Sequence, residues 1–175
     1  LFVKNLVHER EQRQGEVIKE VSSKWAAPQT LSGPYLAIPY NDSALNDDGK
    51  YIAIRRQVIL LPNQLNVNGK LFPELRTRSI FKVLLYKSDF NMNGNFKAEW
   101  PLDINPALLN LQQAKLCFNL SDYKGIEEEL SINWNNQKLS LTPGLPVNDA
   151  GIVGVSVPVS ISPESLASSI PFNLR

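Results

Sequence analysis

The pattern of apolar and polar residues changes character at Trp25. Residues 2–24 are rich in Glu, Arg, Gln and Lys, which are strong helix formers. Four valines fall on one stripe of such a helix, but Arg10 and Gln14 interrupt the stripe. The pattern predicts a mostly exposed helix that packs only near its ends, as a stalk does.

After Trp25 the chain changes to extended segments and turns. Pro28, Gly33, Pro34 and Pro39 exclude a helix and indicate an extended path. Further on, Asp48-Gly49 and Asn68-Gly69 have the composition of turns, and strongly apolar runs cover residues 51–61 and 80–86. These segments predict a series of strands.

One β-hairpin is predicted in register. Apolar and polar residues alternate on both sides of Asn135-Asn136, and asparagine tolerates the positive φ that a two-residue type I′ turn requires. A two-residue loop places Ile132 opposite Leu139 and Leu130 opposite Leu141, so that one face of the hairpin is apolar.

A second hairpin is predicted around Asn93-Gly94. Pairing Met92 with Phe96 requires a loop of odd length, so a bulge is expected there. Residues 105–113 predict one short helix with Pro106 in its first turn. Alternating valines predict a strand that ends at Pro158, and another strand begins near the end of the chain.

The sequence therefore predicts a mainly β (β-rich α+β) fold with about eight to ten strands. We expect an antiparallel, sandwich-like or single-sheet domain over residues 25–175, preceded by the helical stalk of residues 1–24. Because the final residues read as the start of a strand, we expect the domain to continue beyond residue 175.

Composition limits the partners and the chemistry. The net charge is +1 without a basic stripe, which argues against nucleic acid as a partner, and no apolar run is long enough to span a bilayer. Cys117 is the one cysteine and reads as a small buried residue, while His8, the one histidine, lies in the charged helix. The run Glu127-Glu128-Glu129 reads as a solvated turn. We expect no catalytic residue, no metal site and no cofactor.

A family resemblance runs from about residue 5 to the C-terminus, and two of its segments supply the motif residues considered below. The first begins at Val7-His8-Glu9-Arg10 and continues through Trp25, Gln29, Leu31, Gly33, Pro34, Ile38, Pro39 and Tyr40. The second is a short Asp-x-basic-Gly-Ile motif made of Asp122, Lys124, Gly125 and Ile126. Together they resemble the CreD family of bacterial inner-membrane proteins, which is associated with cell-envelope integrity.

The resemblance implies a location and a layout. The segment would stand on the periplasmic side of the inner membrane, anchored through transmembrane helices outside these 175 residues. It implies no catalytic residues, so the motif residues are expected to act as a structural lock between stalk and sheet or as a contact surface.

Three functions follow as hypotheses. The first is a non-catalytic periplasmic module that supports envelope integrity through structural or protein–protein contacts with an envelope protein or component. The alternative is a ligand-sensing or ligand-binding ectodomain for an envelope component, since Trp25, Trp100 and Trp134 permit such a site. The third is a hydrolase whose site is completed by residues outside the chain.

Overall fold

The computed structural model describes residues 2–25, 29–97, 104–124, 126, 129–146 and 152–174. The elements, in order, are α1 (Phe2–Trp25), β1 (Leu31–Leu45), β2 (Tyr51–Leu60), β3 (Gln64–Arg78), β4 (Phe81–Phe96), two 3₁₀ turns (Pro106–Leu108 and Leu111–Gln113), β5 (Lys115–Leu120), β6 (Ser131–Trp134), β7 (Gln137–Ser140), β8 (Thr142–Pro143), β9 (Val153–Pro158), α2 (Pro163–Ser168) and β10 (Ile170–Leu174). The predicted mainly β fold with a long N-terminal helix is confirmed.

The strands form two antiparallel sheets. The first has the order β2-β1-β5-β9-β8, and the second has the order β3-β4-β10-β6-β7. Buried residues of both sheets belong to one hydrophobic cluster, so the sheets pack face to face as a sandwich. The cluster includes Leu36, Ile38, Phe96, Leu116, Phe118, Ile132, Trp134, Ile170 and Phe172.

The hairpin predicted around Asn135-Asn136 is confirmed in type and register. Asn135 and Asn136 have φ of 46° and 66°, as a type I′ turn requires. Ile132 pairs with Leu139. Outside the ladder, the Leu141 amide donates to the Leu130 carbonyl over 2.9 Å. Trp134, the last residue before the turn, is buried in the core.

The hairpin predicted around Asn93-Gly94 is wrong. These residues lie inside β4, where Gly94 pairs with Leu65 of β3 on one side and Phe172 of β10 on the other. A Cβ at Gly94 would collide with the Gln64 carbonyl oxygen and the Phe172 ring. The glycine therefore permits a close approach of strands, which a local turn signal does not distinguish from a turn.

The turn predicted at Asn68-Gly69 is also wrong, for the same reason. Gly69 lies inside β3, and a Cβ there would overlap the Phe90 ring on the neighbouring strand. The chain instead reverses at Ser79-Ile80, between the paired residues Arg78 and Phe81. Ser79 has φ of 56°, which is the left-handed conformation of a tight hairpin turn.

The short helix predicted over residues 105–113 is two separate 3₁₀ turns. They are interrupted because Leu109 forms a bridge to Tyr40 and the Asn110 amide donates to the Pro39 carbonyl over 2.8 Å. Contacts with β1 therefore replace the helical hydrogen bonds. The sequence analysis did not predict α2. Its start nevertheless has a common helix signal, because Ser162 is the N-cap and Pro163 is the first helical residue.

The predicted exposure of α1 is confirmed. Glu20 pairs with Lys24 at 2.8 Å and Glu9 with Arg13 at 3.5 Å, both on the solvated surface of the helix. Among its described side chains, Val17, Val21 and Ser22 are half-buried and the others are exposed. The packing expected near the C-terminal end is therefore found, whereas the packing expected near the N-terminal end is wrong for the described residues. The helix lies against β4 and leaves the core of the sandwich to the strands.

Candidate functional site

The last part of the first motif segment, residues 31–40, lies in β1, and its members Pro34, Ile38 and Pro39 are buried. Ile38 and Pro34 are fully buried, and the Gly33-Pro34 peptide bond is cis. A bulge between Ser32 and Tyr35 shifts the register with β5. Leu31 and Gln29 are exposed, while Tyr40 is half-buried.

The structure brings the two motif segments together. Leu31 of β1 pairs with Leu120 of β5, which leads directly to Asp122. The Ser121 hydroxyl donates to Gln29 Oε1 over 3.1 Å and accepts from the Thr30 amide over 2.9 Å. Asp122 Oδ1 accepts from the Lys124 amide. These contacts join the segment before β1 to the residues that follow β5, and the role of the motif as a structural lock or a contact surface stays a prediction.

Several residues singled out in the sequence analysis are not among the described residues. Gly125, Glu127, Glu128 and Trp100 lie outside the described residues, and the Trp25 side chain does as well. The ligand site that Trp25, Trp100 and Trp134 permit stays a prediction.

A groove of about 360 Å³ lies on the outer face of the first sheet. The Tyr35 hydroxyl donates to Asn119 Oδ1 over 2.7 Å at one side of this groove. Gln57 Oε1 is buried and has no hydrogen-bond partner among the described residues. The remaining lining is mainly apolar and comes from Ile59, Leu61, Leu145, Pro146 and Ile152. A small, mostly apolar molecule that donates one hydrogen bond would suit this lining.

Cys117 and His8, the one cysteine and the one histidine, lie in different environments. Cys117 is fully buried, and burial raises the pKa of its thiol to about 12. His8 is exposed on α1, where Nε2 is 3.3 Å from Gln12 Nε2 and Nδ1 is 3.9 Å from Glu11. Across the described ranges, no three His, Cys, Asp or Glu side chains are grouped so that they could hold a metal ion.

The hairpin of β3 and β4 carries several exposed apolar side chains. Strand β10 pairs only with residues 92–96 of β4, so residues 68–91 extend past it as a two-stranded arm. Residues directly opposite each other share a face of such a ribbon. One face, here called the open face, carries five large apolar side chains that are 42–64% exposed: Leu71, Leu75, Leu84, Tyr86 and Phe90.

The other face of the arm lies against α1. Arg78 donates from its guanidinium to Glu20 of α1 over 3.2 Å, and the residue opposite Arg78, Phe81, lines a groove with Leu6. Val83, two residues along on the same face, is only 4% exposed. Helix α1 therefore packs on this face near the turn of the arm, and no contact of α1 with the open face is seen among the described residues.

Helix α1 does not have the composition of a membrane span. Neither α1 nor α2, as far as they are described, combines the length and apolar character that a helix needs to cross a membrane.

Comparison with known proteins decides the family. The family model described as inner membrane protein CreD matches residues 1–175. The chain belongs to the CreD family. It is also similar to the inner membrane protein CreD of Escherichia coli (strain K12), with 24% identity over 162 residues. No solved structure matches the chain.

The resemblance to CreD proteins seen in the sequence is thereby confirmed, and so is a role within an inner-membrane protein. The alignment covers 91% of this chain but 36% of the Escherichia coli CreD protein. The chain thus spans little more than a third of the length of that relative.

The buried thiol of Cys117 gives a prediction that tests the packing of the first sheet around β5. The native CreD-family chain should react very slowly with a maleimide at pH 8, because the thiolate is the reactive form and burial of Cys117 raises its pKa to about 12, from an ordinary value of 9.0. Mass spectrometry of the labelled protein measures this rate, and labelling should become complete once urea unfolds the chain.

The same pKa sets a pH dependence. Since the folded value lies above the unfolded one, the native state keeps the Cys117 proton between about pH 9 and pH 12, and the free energy of unfolding falls as pH rises through that interval. Cys117→Ala should remove this contribution. Rapid labelling of the native chain, at the rate of an exposed thiol introduced as Ile80→Cys, would contradict the burial.

Proposed function

We propose that this chain is a non-catalytic, periplasmic module of an inner-membrane protein that contributes to cell-envelope integrity by contacting another envelope protein. The periplasmic side and the link to the envelope rest on the family resemblance. Anchoring would run through segments outside these 175 residues, and the alignment with the Escherichia coli protein covers only 36% of that protein.

The observation that carries the proposal is the open face of the arm. Along β4, side chains two residues apart lie on the same side, so Tyr86 and Phe90 are on the side that Met92 and Phe96 present to the core. Met92 and Phe96 are buried by the sandwich, whereas Tyr86 is 63% exposed. The arm is therefore one layer of a sandwich whose opposite layer is not supplied by the described residues.

The missing layer would be a polypeptide segment that presents apolar side chains to the arm. A contiguous apolar patch of this kind typically marks an interaction site, and a two-stranded ribbon alone is only marginally stable in water. A partner segment with its own apolar face would bury Leu75 and Leu84, which lie directly opposite each other.

A second function, ligand binding, is favoured by one observation in the outer groove. The unpartnered Gln57 Oε1 would accept a hydrogen bond from a bound molecule, and Ile59 and Ile152 would contact its apolar part. In the ligand-sensing or ligand-binding alternative, this groove would be the binding site.

Two matched pairs of substitutions separate these functions in the full-length protein. Leu75→Thr with Leu84→Thr removes apolar area from the open face, and Ile59→Thr with Ile152→Thr does the same in the groove. Threonine keeps β propensity, so both variants should fold. We expect the arm variant to bind its partner at least about tenfold more weakly, since truncating an apolar anchor costs more than about 1 kcal/mol.

The measurement is growth of a strain that lacks the native protein, challenged with a membrane-perturbing detergent and complemented by each variant. The arm variant should fail to complement while the groove variant succeeds. The reverse result would favour ligand binding, and full complementation by both variants would overturn the proposal.

A further inference from the structure

Charged residues are unevenly divided between two parts of the chain. Helix α1 and the segment from β3 to β4 carry ten Lys and Arg against six Asp and Glu, whereas the rest of the chain carries eight against eleven. The overall charge of +1 therefore hides a basic part and an acidic part. Because α1 lies against β4, the basic residues share one region of the molecule.

The outer end of this basic region carries exposed apolar side chains. Ile80, in the turn of the arm, is 74% exposed, and it lines a groove of about 250 Å³ together with Leu6 and Arg10 of α1. Leu6 is 55% exposed. The turn of the arm thus meets the first turns of the helix. We call this region the tip surface and define it by Val3, Lys4, Leu6, Val7, Arg10, Ile80 and Lys82.

Two of the four glutamates of α1 form ion pairs with Lys or Arg among the described residues. Glu9 lies 3.5 Å from Arg13, and Glu20 lies within hydrogen-bonding distance of both Lys24 and Arg78. These two glutamates are therefore balanced locally by basic residues. Glu11, the other acid in the first half of the helix, lies beside His8.

We propose that the tip surface rests on a bilayer containing anionic phospholipid, with Ile80 and the exposed residues of α1 at the boundary between headgroups and acyl chains. Apolar side chains surrounded by Lys and Arg are the arrangement that binds such interfaces. Membership in a family of inner-membrane proteins places a bilayer beside the chain. This inference goes beyond the proposed function, because it concerns the end of the arm and does not depend on a partner for the open face.

Vesicle binding by the full 175-residue chain tests the proposal. Vesicles of phosphatidylcholine with 30% phosphatidylglycerol, and vesicles of phosphatidylcholine alone, would be sedimented with the protein at about 0.05 M and about 0.5 M salt. We expect binding to the anionic vesicles at low salt, and much weaker binding to neutral vesicles or at high salt, since salt screens the attraction.

A matched pair of variants locates the contact. Ile80→Ser with Lys82→Glu should lower the affinity for anionic vesicles about tenfold, because one basic contact is lost and a repulsive charge replaces it. Tyr51→Ser with Lys50→Glu makes the same change in charge at the turn of the other long hairpin, where Tyr51 is 76% exposed. This control should bind within about twofold of the wild type, since it lies outside the tip surface.

A fluorescent label gives an independent readout. Because Cys117 is fully buried, an environment-sensitive dye should attach selectively to Ile80→Cys or to Tyr51→Cys. Anionic vesicles should shift the emission of the dye at position 80 to shorter wavelength and leave position 51 unchanged. Absent binding by the wild type, equal loss in both double variants, or equal binding to neutral vesicles would each overturn the proposal.

Discussion

Replacing Phe96 with alanine is expected to lower the free energy of unfolding by about 3–5 kcal/mol, the range for a fully buried phenylalanine. Phe96 is 0% exposed at the end of β4. Its ring lies 5.2 Å from that of Phe172 and 5.7 Å from that of Trp134, measured between centroids. The three rings belong to β4, β10 and β6, which are the central strands of the second sheet. The cavity would therefore open among side chains that three neighbouring strands contribute to the core.

Urea denaturation followed by tryptophan fluorescence measures this loss, because Trp134 lies beside the cavity. The control is Phe72→Ala on the arm, where the side chain is 49% exposed. That substitution should cost about 1 kcal/mol or less. Equal destabilisation by the two substitutions would show that Phe96 does not occupy the core in the way described.

The β6–β7 hairpin could be predicted in full from the sequence because all its determinants are local. Two alternating runs flank Asn135-Asn136, only a two-residue loop brings the apolar positions into register, and asparagine accepts the required positive φ. Local pattern and tertiary packing specify the same structure there.

Asn93-Gly94 shows why other elements could not be predicted. The dipeptide has the same local signature as a turn, but the glycine is needed because Gln64 and Phe172 approach from neighbouring strands. Those neighbours are about 30 and 78 residues away along the chain. No local pattern contains that information.

The open face of the arm was likewise beyond local reasoning. Leu71, Leu75 and Leu84 occupy alternating strand positions of the kind that normally face a core. Whether they are covered depends on how far the opposite sheet extends, and this is a property of the whole fold. The resemblance did identify Gln29, Gly33 and Pro34, but the contacts of Gln29 and Thr30 with Ser121 required the structure.

Gly94→Ala is expected to destabilise the chain by about 3 kcal/mol or more, which is at or above the upper part of the range for overpacking a core. The added Cβ would meet the Gln64 carbonyl oxygen, which belongs to the backbone and cannot rotate away. Since Gly94 pairs with strands on both sides, any shift must disturb the ladder to β3 or to β10.

The matched control is the same substitution at Gly15 on α1, where a Cβ would meet nothing within 4 Å. Alanine in an exposed helix is favoured over glycine by up to about 1 kcal/mol, so Gly15→Ala should slow amide hydrogen exchange in α1 and should not destabilise the chain. One chemical change thus has opposite expected signs at two positions, and denaturation of both variants measures the difference. A Gly94→Ala variant as stable as the wild type would mean that β3 and β4 do not pair in this register. The set of residues that make up the open face would then be different.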